Sequence, residues 1–243
     1  MTALPNKLSE QSKKDQVEEM FNDISPKYDL LNHLLSANVD KLWRRKAIKK
    51  LRPHQPKLIL DIATGTGDFA IAAAKINDAK VIGIDISEGM LEVGRRKIEK
   101  KKLSGTIELH KADSENLPFE NEKFDAAIVG FGVRNFETLK KGLYEINRVL
   151  KPGGVFYVLE FSKPAKSPYK QIYQFYFTRI LPLIGRMVSK NSNAYTYLPE
   201  SVNEFPDGDK FLTILAEVGF VKNKCFPQTF GIATVYEAFK LKK

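Results

Sequence analysis

The stretch LILDIATGTGDFAIAAAKI, Leu58 to Ile76, decides how the rest of the chain is read. Leu58-Ile59-Leu60 is a continuous apolar run of the kind buried in a sheet, and DFAIAAAKI, free of Gly and Pro, is a good helix former. Gly65 and Gly67 stand between them. A glycine-rich turn joining a buried strand to a helix gathers backbone N–H groups at a helix N-terminus. In a parallel α/β sheet, that is where a nucleotide-like ligand binds.

Outward from this unit, strands and helices alternate. KVIGIDI (Lys80–Ile86), TIELHKAD (Thr106–Asp113), FDAAIVGF (Phe124–Phe131) and VFYVLEF (Val155–Phe161) read as four further strands. Ser87 is placed to cap a helix on which Met90, Leu91, Gly94 and Ile98 share one face. Leu139, Leu143, Ile146 and Leu150 mark another, with Pro152-Gly153-Gly154 as its stop. A helix around DKFLTILAEVGF and strands near FVKNKCF and ATVYEAF follow. Such alternation predicts an α/β, Rossmann-like fold: a mostly parallel, seven-stranded sheet with helices on both faces.

At 243 residues the chain is expected to form a single domain with four parts. Residues 1–52 read as a helical cap, with Val17, Met20, Phe21 and Ile24 as an apolar stripe, and 53–165 as the ligand-binding core. Residues 166–204 form an aromatic lid or insert; its stretch Ser167–Val188 is too interrupted by Lys170, Arg179 and Pro182 to cross a bilayer. Residues 205–243 close the domain. The start, MTALPNKLSEQSKKDQ, has no apolar core of signal-peptide length, which predicts a cytoplasmic protein. A single cysteine, Cys225, excludes an internal disulfide and any cysteine-cluster metal site, and no metal is expected. The net charge of +10 favours polyanionic company, nucleic acid or an anionic membrane surface. Its densest runs, Lys41–Lys50 and Arg95–Lys102, are adequately explained as solvated helix faces.

The choice of nucleotide turns on acids. GTGDFA fits the loose dinucleotide pattern at Gly65, Gly67 and Ala70, but Asp61 ends the first strand just before the turn. Beside a pyrophosphate its charge is unfavourable; beside a cationic ligand it is favourable. S-adenosylmethionine carries a sulfonium and an ammonium and no phosphate. Asp61 suits the ammonium, Gly65 and Gly67 admit close backbone approach, and Thr64 adds a hydroxyl near the amino-acid end. Asp85, at the end of the second strand, suits the two ribose hydroxyls, and Asp113 with Ser114 is placed to meet the adenine edge. Each acid alone also fits a cap or a turn; their order along successive strand ends defines one crevice.

Two segments carry a resemblance. YDLLNHLLSANVDKLWRR (Tyr28–Arg45) and RVLKPGGVFYVLEFSKP (Arg148–Pro164), with FGVRN (Phe131–Asn135) between them, are similar to the signatures of the ubiquinone/menaquinone biosynthesis C-methyltransferases. The resemblance implies methyl transfer to a ring carbon of a prenylated demethylmenaquinol, a late step of menaquinone synthesis, with cofactor contacts at Thr64, Asp85, Asp113 and Ser114. A ubiquinone-pathway benzoquinol is the alternative acceptor. The chain departs from the usual pattern at Asp40, where the family usually has His, and at Gly130, where ubiquinone-pathway members commonly have Ser.

A reduced quinol ring becomes a better carbon nucleophile when a ring hydroxyl is deprotonated. The protein is then expected to align the reactants and stabilise the phenolate. Arg134 and Asn135, just after the fourth strand, are candidates to orient the quinol oxygen. Tyr28, Asp29 and Asn32 fall in the segment expected to fold over the acceptor, and Tyr197 in YTYLPESV is a further candidate. No residue is assigned as the base. A prenyl tail lodged in lipid predicts transient membrane-surface contact by a peripheral protein; nothing in the sequence indicates oligomeric state. An RNA or DNA methyltransferase fits the charge, but VGFGVRN lacks the Asn/Asp-Pro-Pro-aromatic element that holds a base amino group, so no nucleic-acid partner is expected.

Overall fold

A computed structural model describes residues 3–36, 38–176, 179 and 193–242. Its centre is a seven-stranded sheet of β1 (Leu58–Ile62), β2 (Lys80–Asp85), β3 (Ile107–Lys111), β4 (Phe124–Gly130), β5 (Leu150–Phe161), β6 (Phe220–Gln228) and β7 (Ala233–Lys240). The order across the sheet is β3-β2-β1-β4-β5-β7-β6. The first five strands are parallel, and β7 runs antiparallel to both β5 and β6. Chain order runs outward from β1 to β3 and then crosses back to β4. The resulting switch point lies outside the C-terminal ends of β1 and β4, where ligands bind in open α/β sheets.

Strand alternation sorts the side chains between two cores. Ile59, Ala126, Ile128, Val155, Tyr157 and Leu159 pack on one face with Trp43, Ala47, Phe69 and Leu91. Leu60, Ile62, Ala127, Val129, Phe156 and Val158 pack on the other with Leu143, Ile146, Phe211 and Leu215. The first face is covered by α3 (Val39–Leu51), α4 (Asp68–Ala73) and α5 (Glu88–Lys100), the second by α6 (Leu139–Val149) and α9 (Asp209–Glu217). The buried positions of α5 include Met90, Leu91, Gly94 and Ile98, and Ser87 caps it by accepting from the Met90 N–H at 3.2 Å.

Two local expectations shift. α6 ends at Val149 rather than at the Pro-Gly-Gly sequence, and Leu150 already belongs to β5, opposite Phe124. Pro152, which has no N–H to donate, falls where the β4–β5 register slips between Phe124 and Ala126, so the breaker acts as a strand irregularity. β3 ends at Lys111, and Asp113 sits beyond it in a turn bridged to Asn116.

The amino-terminal residues fold as α1 (Lys13–Ile24), a 3-10 turn (Ser25–Lys27) and α2 (Tyr28–Leu35) ahead of α3. Asn22 Oδ1 accepts from Ser87 Oγ at 2.8 Å and from the Gly89 N–H at 2.9 Å, tying α1 to the start of α5. Within the expected lid, α7 (Tyr169–Phe175) and α8 (Asn193–Glu204) are described; 177, 178 and 180–192 lie outside the described residues. No helix among the described residues is long and apolar enough to cross a membrane.

Candidate active site

The turn after β1 and the ends of β2 and β4 border a crevice that opens to solvent. Ala63 and Gly65, Asp85, and Gly130 to Gly132 supply its floor, while Lys14, Val17 and Phe21 of α1 and Tyr28 of α2 form its roof. Two non-glycine residues here, Ala63 (φ 51°) and Phe131 (φ 60°), adopt the left-handed region directly after adjacent strands. Backbone strain of this kind persists where the surroundings impose it, and it concentrates at ligand sites. Gly132 admits no side chain, because a Cβ there would stand 2.5 Å from that of Ala63.

Asp61 is wholly buried. Its Oδ2 accepts from Thr64 Oγ1 at 2.6 Å, while Oδ1 has no hydrogen-bond partner among the described residues. Burial pushes the carboxyl up to about 7, against the pull of the Thr64 hydrogen bond. Asp85 is fixed from both sides: Gly65 N–H donates to Oδ2 at 2.8 Å and Ser87 N–H to Oδ1 at 2.9 Å. Each of its oxygens retains acceptor capacity for a hydroxyl, and desolvation raises the acid to about 6. Asp113 accepts from the Glu115 N–H at 2.8 Å and pairs with Lys14 Nζ at 3.2 Å; Ser114 borders the crevice beside it.

This donor set fits S-adenosylmethionine. The orphaned, buried Asp61 Oδ1 suits a cationic donor, the oriented Asp85 carboxylate suits a vicinal diol, and Asp85 and Asp113 in the crevice, with Asp61 in the chamber that adjoins it, would repel a pyrophosphate. Asp85→Ala is expected to raise the dissociation constant for S-adenosylhomocysteine by at least about a hundredfold, the loss of two charge-assisted hydrogen bonds, with an unchanged far-ultraviolet circular dichroism spectrum. Unchanged calorimetric titration would contradict the ribose role.

The remaining candidates divide. Tyr28 and Asn135 line the crevice, and burial raises the Tyr28 phenol to about 12. Tyr197 is buried behind Asn135, donating to its Oδ1 at 3.0 Å, and so orients the amide. Arg134 does not line the crevice. Its guanidinium turns back beneath the Phe131 turn, donating to the Phe131 carbonyl, to Glu160 Oε1 at 2.9 Å and to Ser201 Oγ at 3.3 Å. Asp29 also lies off the crevice, held by Lys97 Nζ at 2.8 Å and Thr66 Oγ1 at 2.5 Å. Asn32, half-buried on α2, is not part of the lining. Gly67, at φ 80°, starts α4 without bordering the crevice.

A smaller chamber of about 330 Å³ adjoins the crevice, lined by Asp61, Thr64, Gly65 and Tyr28 together with Arg44, which sequence reasoning absorbed into a solvated basic run. The signal was present: Asp40 and Arg44 fall in helical phase with Trp43, Ala47, Ile48 and Leu51, and all six are buried.

A seven-stranded sheet of this order with three acids around a glycine turn defines a Rossmann-like, S-adenosylmethionine-dependent methyltransferase. A crystal structure of an S-adenosylmethionine-dependent methyltransferase from Thermotoga maritima shares the fold, with a TM-score of 0.66 at 20% identity over 92% of this chain and 99% of that one. Residues 9–240 match the ubiE/COQ5 methyltransferase family, and the chain belongs to that family. It is 47% identical to a demethylmenaquinone methyltransferase of Bacteroides fragilis, with 94% of each chain covered. It is 45% identical to a ubiquinone/menaquinone biosynthesis C-methyltransferase of Geobacter sulfurreducens, over 94% of this chain and 90% of the relative. Its cofactor is S-adenosylmethionine.

Proposed function

We propose that this enzyme methylates a ring carbon of demethylmenaquinol, giving menaquinol and S-adenosylhomocysteine. The observation that supports the chemistry is the crevice with its adjoining chamber, in which Asp85 and Asp113 of the crevice and Asp61 of the chamber present carboxylates suited to the ribose, adenine and ammonium of the cofactor. The acceptor follows from the full-length similarity to enzymes named for that reaction. When bound, the cofactor supplies an electrophilic methyl group.

The chain's own contribution is binding, orientation and exclusion of water. Asn135, steadied by Tyr197, offers its amide to a quinol oxygen, and Tyr28 closes the site from α2. Lys13 Nζ donates to the Arg134 and Phe136 carbonyls at 3.1 and 2.9 Å, so α1 braces the loop that carries Asn135. α1 and α2 act as the cap over both ligands. Arg134 serves by holding the Phe131 turn in place.

A prenylated acceptor resides in lipid, so the enzyme works at the cytoplasmic membrane face as a peripheral protein. The charge of +10 and the exposed aromatics Phe175, Phe230 and Tyr169 support that reading, the last two stacked at 3.8 Å.

The test is transfer of label from S-adenosylmethionine in liposomes to chemically reduced demethylmenaquinone, with oxidised demethylmenaquinone, a reduced benzoquinone precursor and total RNA in parallel. The expected product is labelled menaquinol, dependent on reduction. Label in RNA, or cofactor binding without transfer to any quinol, would overturn the assignment. Comparable transfer to the benzoquinol would widen the acceptor range to that carried by the Geobacter relative's name.

A further inference from the structure

Arg44 departs from the basic run that contains it. Lys41, Arg45, Lys46 and Lys49 of α3 are exposed, whereas Arg44 is 7% exposed and Asp40, one turn earlier, 1%. Arg44 Nη1 bonds Asp40 Oδ2, and Asp40 Oδ1 accepts from Ser36 Oγ at 2.5 Å. The guanidinium carbon lies 5.6 Å from the centre of the Phe131 ring. A solvated position would spare Arg44 the cost of leaving water, so its burial beside the cofactor crevice calls for a reason. Pairing with Asp40 offsets part of that cost. It engages Nη1, and among the described residues no hydrogen bond from Nε or Nη2 accompanies it.

Asp61 meets Arg44 because of strand parity. Asp61 shares a sheet face with Ile59, and α3 packs on that face through Trp43 and Ala47. The chamber of about 330 Å³ is therefore bordered by a buried acid with an orphaned oxygen from β1 and by a buried guanidinium from α3; Thr64 and Thr66 line it too, as does Asp68, whose carboxylate is paired with Lys97 Nζ at 2.6 Å. The Arg44 charge also acts on Asp61, drawing its carboxyl down against the dominant effect of burial. An acceptor anion and a donor cation around one small polar space are the complement of an α-amino acid, whose ammonium and carboxylate share one carbon.

We infer that Arg44 binds the carboxylate of the cofactor's methionine moiety while Asp61 binds its ammonium, so that the chamber reads the intact amino acid. The inference rests on assigning the crevice to S-adenosylmethionine. A guanidinium suits this role because its planar fork pairs with a carboxylate in directed hydrogen bonds. Asp40 then acts as a positioning residue that holds the fork when no ligand is present.

The test is calorimetric titration of the full chain with S-adenosylhomocysteine and with its decarboxylated counterpart, 5′-deoxy-5′-(3-aminopropylthio)adenosine. The wild type is expected to bind the decarboxylated ligand about ten- to a hundredfold more weakly, the range for a lost charge-assisted hydrogen bond. In Arg44→Gln that preference should shrink to about threefold or less, because affinity for S-adenosylhomocysteine falls while affinity for the decarboxylated ligand holds. Arg44→Lys should restore part of it. Since Arg44→Gln removes the guanidinium that pairs with buried Asp40, the double variant Asp40→Asn/Arg44→Gln removes both charges and carries the same expectation if the single variant does not fold. A purely structural Arg44 would weaken both ligands in proportion. A wild-type preference retained in a folded variant overturns the inference, as does a wild type that binds both ligands equally. A wild type that binds neither overturns the cofactor assignment as well, a result distinguishable from the other two.

Discussion

Asp61→Asn is expected to weaken binding of S-adenosylhomocysteine at pH 8 by at least about thirtyfold, and at the same time to stabilise the ligand-free protein. Both effects arise from one buried carboxyl. Asn preserves the shape and the acceptor for the Thr64 hydroxyl, but it removes the charge that pairs with the ligand ammonium, a loss of about 2–5 kcal/mol for a desolvated pair. In the ligand-free protein that charge has no partner on Oδ1, and burial raises the acid to about 7 from an ordinary value of 3.8.

The sign of the pH dependence follows. Between those two values the folded state binds more protons than the unfolded one, so stability falls as pH rises through the window, by up to about 4 kcal/mol once the group is fully ionised. Asp61→Asn escapes that penalty, so denaturant unfolding at pH 8 should show it about 2–4 kcal/mol more stable, with the difference shrinking toward pH 5. Wild-type affinity for the ligand should weaken as pH falls below about 7, by about tenfold per unit at the limit. Asp61→Asn should lack that slope. Binding by the variant within threefold of wild type at pH 8 would exclude the ammonium contact.

Arg134→Ala is expected to destabilise the fold by about 3–5 kcal/mol, the cost of leaving a buried charge uncompensated. Glu160 is wholly buried, Arg134 supplies its counter-charge at 2.9 Å, and Glu160 Oε2 has no hydrogen-bond partner among the described residues. Burial already holds the Glu160 carboxyl above its usual range. Removing Arg134 also takes away the charged donor to the Phe131 carbonyl and to Ser201 Oγ, so the turn carrying Asn135 loses support. At the size of this domain the change corresponds to a fall of roughly 6–20 °C in melting temperature. Arg134→Lys keeps the charge and should cost less. If Arg134→Ala unfolds within about 1 kcal/mol of wild type yet loses turnover, Arg134 acts on the acceptor directly rather than through the Phe131 turn.

Local features made much of the crevice readable in advance. Asp61, Gly65, Asp85, Asp113 and Ser114 sit at strand ends or in the turns beyond them, and a parallel sheet places the C-terminal ends of its strands on one edge. Periodicity placed the buried side of α5, and the glycine turn marked where α4 begins. The end of α6 was less legible, because a Pro-Gly-Gly run breaks a helix and disturbs a strand equally well, and the pairing of Leu150 with Phe124 settles which occurs.

The amino-acid order alone was enough for the α/β architecture, the cofactor class and the family, since each depends on residues near one another in the chain. Which cations are solvated and which are buried depends on contacts between distant segments. Arg44 belongs to a basic run and Arg134 follows an apolar strand, yet neither is solvated: one lines the chamber beside Asp61 and the other is sequestered under Phe131 with Glu160. Helix phase made Arg44 a candidate for burial; the docking of α3 on the face of β1 that presents Asp61 gave that burial its chemistry. The same packing set Tyr197 behind Asn135, 62 positions away, and drew Asp29 off to Lys97. A hydrogen bond or ion pair between residues so far apart is chosen by how the helices seat on the sheet, and that is a property of the assembled core rather than of any one segment.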